Sequence, residues 1–309
     1  MKRRLPWRRV APALLVAGVV ALGMSAPASA GATQGVPFAK HVYPLVSGLN
    51  DRAGLPAKAV SVGNGFGKLQ YGGGPIQKSP KVFVVYWGWH GSDPSGEAAY
   101  LERFLSGIGG SGWANIQTQY TGTGQGNITN PSGQFAGSWY DDTSNPSAVT
   151  TDAEITAEGL KAAQHFGFNP DADYFVATPT GTGTSGFKTS YCAYHSAASS
   201  AQGTVAYTYL PYITDAGTNC GKNFVNGGAA GNLDGVSIVG GHEYAEAVTD
   251  PHPSSGWVDA TGAENGDKCA WKSSGSGAAR NISLSTGSFA VQSLFSNASG
   301  LFGGCVSSY

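Results

Sequence analysis

The chain has 309 residues, a formal net charge of −1, 12% charged side chains and 41% hydrophobic ones. That apolar and aromatic content excludes a disordered chain. The lack of a basic stripe interleaved with aromatics argues against a nucleic-acid partner. The 47 glycines point to many turns between short elements.

Residues 1–30 read as a signal peptide. Lys2, Arg3, Arg4, Arg8 and Arg9 form a basic start, Val10 to Met24 is an apolar run, and Ala28-Ser29-Ala30 is a small-x-small cleavage signature. The run is too short to span a bilayer comfortably, so the mature chain is expected to be extracellular, with no membrane contact after cleavage. Loss of the leader leaves thirteen basic against nineteen acidic side chains, a net charge of −6. Residues 31–75 show little periodicity and read as an N-terminal arm or pro-segment.

Lys81 to Trp87 is β-branched and aromatic throughout and predicts a buried strand. Asp93-Pro94-Ser95 opens a helix running to Ile108, where Leu101, Phe104, Leu105 and Ile108 have helical spacing and Gly109-Gly110 ends it. Residues 114–121 and 133–140 read as strands. The Gly-x-Gly-x-Gly at 122–126 lies outside a strand-to-helix junction and reads as a turn, not a phosphate loop. Thr151-Asp152-Ala153-Glu154 is a capping box that opens a helix to His165. Asp173 to Thr178 and Thr204 to Leu210 are further strands, separated by a long loop at 179–203. Asp234 is positioned to cap a third helix, which ends at Thr249-Asp250-Pro251. Short strands follow near 256–259 and 289–295. The expected fold is α/β: a single domain over 76–309, with a mixed β-sheet packed with helices.

The third helix carries the chemistry. Gly241-His242-Glu243-Tyr244-Ala245-Glu246 reads His-Glu-x-x-Glu. Asp250, His252, Asp259, Glu264 and Asp267 crowd the next stretch. Three of the seven glutamates and two of the six histidines lie between 242 and 264. Residues four apart share a helix face, so His242 and Glu246 can reach one metal ion at about 2.0–2.2 Å each. Zinc hydrolases place two histidines at this spacing, with the first glutamate as general base. Here Glu246 replaces the second histidine, Glu243 takes the role of catalytic base, and a further ligand comes from Glu264 first, then Asp267 or Asp250. One histidine with carboxylates suits zinc, and also manganese or calcium. The competing reading is a polar network around a buried histidine.

Cys192, Cys220, Cys269 and Cys305 all lie in the exported part, where an even count favours two disulfides. Of three pairings, Cys192–Cys220 and Cys269–Cys305 close the most local loops. A thiol nucleophile at Cys192 beside His195 is the weaker reading. His90 reads as a strand-end residue, and no Gly-x-Ser-x-Gly elbow is present.

Four segments together resemble the phosphate-induced, or EXORDIUM-like, secreted proteins. They are Tyr71-Gly72-Gly73-Gly74-Pro75-Ile76 with Val82 to Gly88; Phe104 to Ile108 with Trp113; Cys192, His195 and Cys220; and Gly241 to Pro251 with Trp257, Glu264, Asp267 and Cys269. The likeness spans about residues 70–270. It implies secretion and a cell-wall or extracellular setting, and leaves the reaction open. The combined expectation is a secreted metal-dependent hydrolase with a zincin-like active-site helix acting on an extracellular peptide or cell-wall component. The alternative is a non-catalytic wall-binding or signalling protein.

Overall fold

A computed structural model describes residues 39–46 and 67–309. The signal-peptide segment lies outside them. The centre of the fold is a mixed six-stranded sheet. Its strands are β1 (His41–Pro44), β2 (Lys81–Trp87), β3 (Phe135–Asp141), β4 (Ala172–Ala177), β5 (Tyr191–Ser199) and β6 (Thr204–Leu210). The spatial order is β1-β5-β6-β4-β2-β3. The β6, β4, β2 and β3 neighbours run parallel, whereas β1–β5 and β5–β6 are antiparallel.

Three helices cover the two faces: α1 (Glu97–Ile108), α2 (Asp152–Phe166) and α3 (Asp234–Thr249). The period of two in β2 decides which residue meets which layer. Val84 and Tyr86 pack with Leu101 and Phe104 of α1 and Val236, Ile238 and Val239 of α3. Val85 and Trp87 face the opposite layer, with Ile155, Ala162 and Ala163 of α2. The capping box at Thr151 and Glu154 is present at the start of α2. Every residue of α3 is buried, as expected of a helix enclosed on all sides. Gly241 lets α1 close in, because a Cβ there would stand 3.1 Å from Cζ of Phe104.

Beyond α3 the chain forms a hairpin, β7 (Arg280–Leu284) with β8 (Gly287–Val291), and a second pair, β9 (Leu294–Ser296) with β10 (Gly304–Val306). Both local disulfides are present, Cys192–Cys220 and Cys269–Cys305. The first ties β5 to the turn before α3; the second ties the loop after α3 to β10. Among the described residues no helix is long and apolar enough to cross a membrane.

Four expectations are corrected. The segment 31–75 is not merely an arm: His41–Pro44 is an edge strand of the main sheet, and Gln70–Tyr71 pairs with Trp257–Val258. The loop assigned to 179–203 contains the nine-residue β5, whose Ala and Ser content hides its strand character because both faces are buried. The strand expected at 114–121 is mostly a 3-10 turn, Ala114–Gln119, held where Gln117 donates to the Ala245 carbonyl. Asp234 does not cap α3. Its carboxylate accepts from the backbone N–H groups of Val225 and Asn226.

Candidate metal centre

The site forms where α3 crosses over β1 and β5. One turn of α3 sets His242 above Glu246, and His242 Nε2 lies 3.1 Å from Glu246 Oε2. The backbone turns sharply after Thr249, because the Asp250 carboxylate accepts from the N–H groups of Ser255 and Gly256. The returning loop then lays Glu264 to Cys269 along the helix. Asn265 donates to the Ala245 carbonyl, and Asp267 N–H donates to Glu246 Oε1 at 2.9 Å. Gly266 makes this approach possible: a Cβ there would sit 2.6 Å from His242 Nδ1. Gln292 donates to the Gly266 carbonyl from the far side, and the Cys269–Cys305 bridge holds the end of the loop.

All five residues expected from the sequence therefore meet: His242, Glu243, Glu246, Glu264 and Asp267. Two more histidines join them. His41 Nε2 lies 2.6 Å from Asp267 Oδ2, and its Nδ1 lies 3.3 Å from Glu264 Oε1. His195 Nδ1 lies 3.3 Å from Glu243 Oε2, and its Nε2 lies 3.6 Å from Glu264 Oε2. Sequence reasoning placed His41 in a loose arm and considered His195 only beside Cys192. Cys192 is in a disulfide, so the thiol-nucleophile reading is overturned. No local signal singles out His41 and His195, since four of the six histidines lie outside the 242–264 stretch and His90 also stands among aromatics. Their partnership depends on strand register, which no local pattern encodes.

Other expected neighbours have separate roles. Asp259 pairs with Lys268 at 2.7 Å, buried beside the loop. His90 is exposed near Asn145 and Asp142, far from this chemistry in its partners. Tyr43 covers His242, the rings stacked with centroids 3.7 Å apart, and its hydroxyl donates to Gln292 Oε1.

The electrostatics are those of crowded carboxylates out of water. Burial, then Glu246 and Asp267, pushes Glu243 well above the ordinary glutamate value. Burial, then Asp250 and Glu246, does the same to Glu264. Burial raises Asp250 to about 6. Burial disfavours a charge on His41, yet Asp267 and Glu246 outweigh it and raise the ring to about 10. Burial, then His41 and His242, drives His195 well below the ordinary imidazole value.

A metal fits this donor set. His242, Glu243, Glu246 and Glu264 have no exposed surface, and His195 and Asp267 have about 1%. Glu246 Oε2, Glu243 Oε1, both Glu264 oxygens, both His242 nitrogens and His195 Nε2 make no hydrogen bond among the described residues. Buried polar atoms are ordinarily satisfied, and leaving one unmade costs about 1–3 kcal/mol. One unpartnered nitrogen of His242 and the free carboxylate oxygens around it are what a cation would satisfy, and His242, Glu246 and Asp267 each offer an atom within 4.8 Å of the others. Comparison with protein-family models, curated proteins and solved structures finds no match for this chain.

Proposed function

We propose that the protein is a secreted metal-dependent hydrolase of zincin-like character, with an extracellular peptide as its substrate. The observation that carries this reading is the His242–Glu246 turn of α3, fully buried, meeting Asp267 and Glu264 with Glu243 alongside. His242, Glu246 and Asp267 would hold the ion, and Glu264 closes the group on the side of His41 and His195. Zinc suits the mixture of imidazole and carboxylate; manganese suits it as well. When bound, such an ion supplies Lewis acidity to a substrate carbonyl. Glu243 takes up the proton of the attacking water and passes it to the leaving amine. His195, beside Glu243, orients that carboxylate.

The approach for substrate is beside His41, the one histidine of the cluster whose side chain is partly open, at 14%. Strand β1 otherwise lies over the site through Tyr43. Displacement of this edge strand would uncover His242. The two disulfides suit an oxidising compartment, in keeping with export.

The test is hydrolysis of a peptide library by the metal-loaded protein beside Glu243→Gln. Loss of cleavage with metal retained supports the assignment. Equal cleavage by both proteins removes Glu243 from the mechanism.

The near-complete burial favours a second reading, a non-catalytic EXORDIUM-like wall-binding or signalling protein in which the ion is structural. Retention on wall polysaccharide that chelator does not alter, with no cleavage of any peptide, selects it.

A further inference from the structure

The donors in this cluster exceed what one ion takes. Three ligand groups can be drawn, each with its atoms within 4.8 Å of one another: His41, Glu246 and Glu264; His195, Glu243 and Glu246; His242, Glu246 and Asp267. Only Glu246 belongs to all three. Its Oε2 stands 3.1 Å from His242 Nε2, 3.7 Å from His195 Nδ1 and 3.8 Å from His41 Nε2. Three imidazoles from three separate elements thus surround one carboxylate oxygen, and that oxygen accepts no hydrogen bond among the described residues. Such an oxygen, approached from several sides by nitrogen donors, has the placement of a bridging ligand.

Charge points the same way. Glu243, Glu246, Asp250, Glu264 and Asp267 are all buried. In the metal-loaded state, where ligand carboxylates are ionised and imidazoles neutral, one divalent cation leaves three of these five negative charges uncompensated; two cations leave one. Uncompensated charge away from water is costly enough that buried charges are paired or coordinate metals. Carboxylate-bridged ions about 3.5–4 Å apart are a recurring arrangement in hydrolytic sites.

We propose that the cluster is a two-metal centre bridged by Glu246. One cation is held by His242 and Asp267, and the other by His195 and Glu243, so in this centre Glu243 is a ligand and not the proton acceptor of the single-ion reading. His41 and Glu264 close the centre under β1. The proposal rests on the metal-centre reading above and deepens it.

The test is metal stoichiometry of the full chain, expressed with Zn²⁺ or Mn²⁺ supplied, read by elemental mass spectrometry. Two equivalents are expected, and the Mn²⁺-loaded protein should give an exchange-coupled paramagnetic resonance spectrum. His195→Ala, checked for folding by circular dichroism, should keep one equivalent and lose the coupling. One equivalent in the wild type, with an isolated-ion spectrum, overturns the two-metal centre and leaves the single-ion reading standing. No metal overturns both. A folded His195→Ala that still holds two coupled ions overturns the ligand assignment.

Discussion

His41 and His195 are cross-strand partners. Their Cα atoms stand opposite each other in the antiparallel pair of β1 and β5, and their rings lie 5.6 Å apart. Directly opposed residues present their side chains to the same face. One register choice therefore delivers two imidazoles to the underside of α3, where Glu246 waits. A slip of β1 by one residue would turn His41 to the other layer.

Gly266 should be intolerant of any side chain. Its backbone is helical, so the obstacle is space alone: a Cβ would meet His242 Nδ1 at 2.6 Å and Glu246 Oε1 at 2.9 Å. Gly266→Ala is expected to cost about 1–3 kcal/mol, as overpacking does, and to lower metal content. Thermal melts and elemental analysis of the variant check both.

The Cys269–Cys305 bridge holds the loop that brings Glu264 and Asp267 to the site. It closes a sequence separation of 36. Replacing both cysteines with serine should cost about 2–4 kcal/mol, the usual range for such loops. Metal affinity should fall further than for the corresponding change at Cys192 and Cys220, which tie down no ligand-bearing loop after α3. Competition with a chromophoric chelator measures the difference.

Tyr43→Phe keeps the ring stacked on His242 but removes the hydroxyl that donates to Gln292. Gln292 in turn holds the Gly266 carbonyl. A loss of about 1 kcal/mol is expected, the net value of one buried hydrogen bond, with metal stoichiometry unchanged. Denaturant titration at fixed metal content reads it.

Glu158 on α2 gives a pH signature away from the site. Burial, and then a proton shared with Asp141, raises it to about 8, while Lys161 opposes the shift. Between the ordinary glutamate value and 8, the folded chain keeps a proton that the unfolded chain has lost. Stability from this group is therefore present below pH 4.5 and declines as pH rises through 8. Glu158→Gln should flatten that decline, gaining about 2 kcal/mol on the wild type between pH 5 and 8. Parallel stability curves for the two proteins across this range would show that Glu158 carries no such proton.

The sequence by itself determined the elements whose patterns are local. The apolar run of β2, the capping box of α2, the spacing on α1 and the His242–Glu246 turn of α3 each follow from short-range periodicity and capping chemistry. The choice of disulfides also followed from loop length. Glu264 and Asp267 were legible because acidic residues are scarce elsewhere in this chain. The tertiary structure alone decided that His41 and His195 belong with them. A four-residue edge strand and a strand rich in alanine and serine carry weak local signals. What places them is pairing with each other and burial beneath a helix far along the chain, and long-range burial and register are properties of the packed sheet.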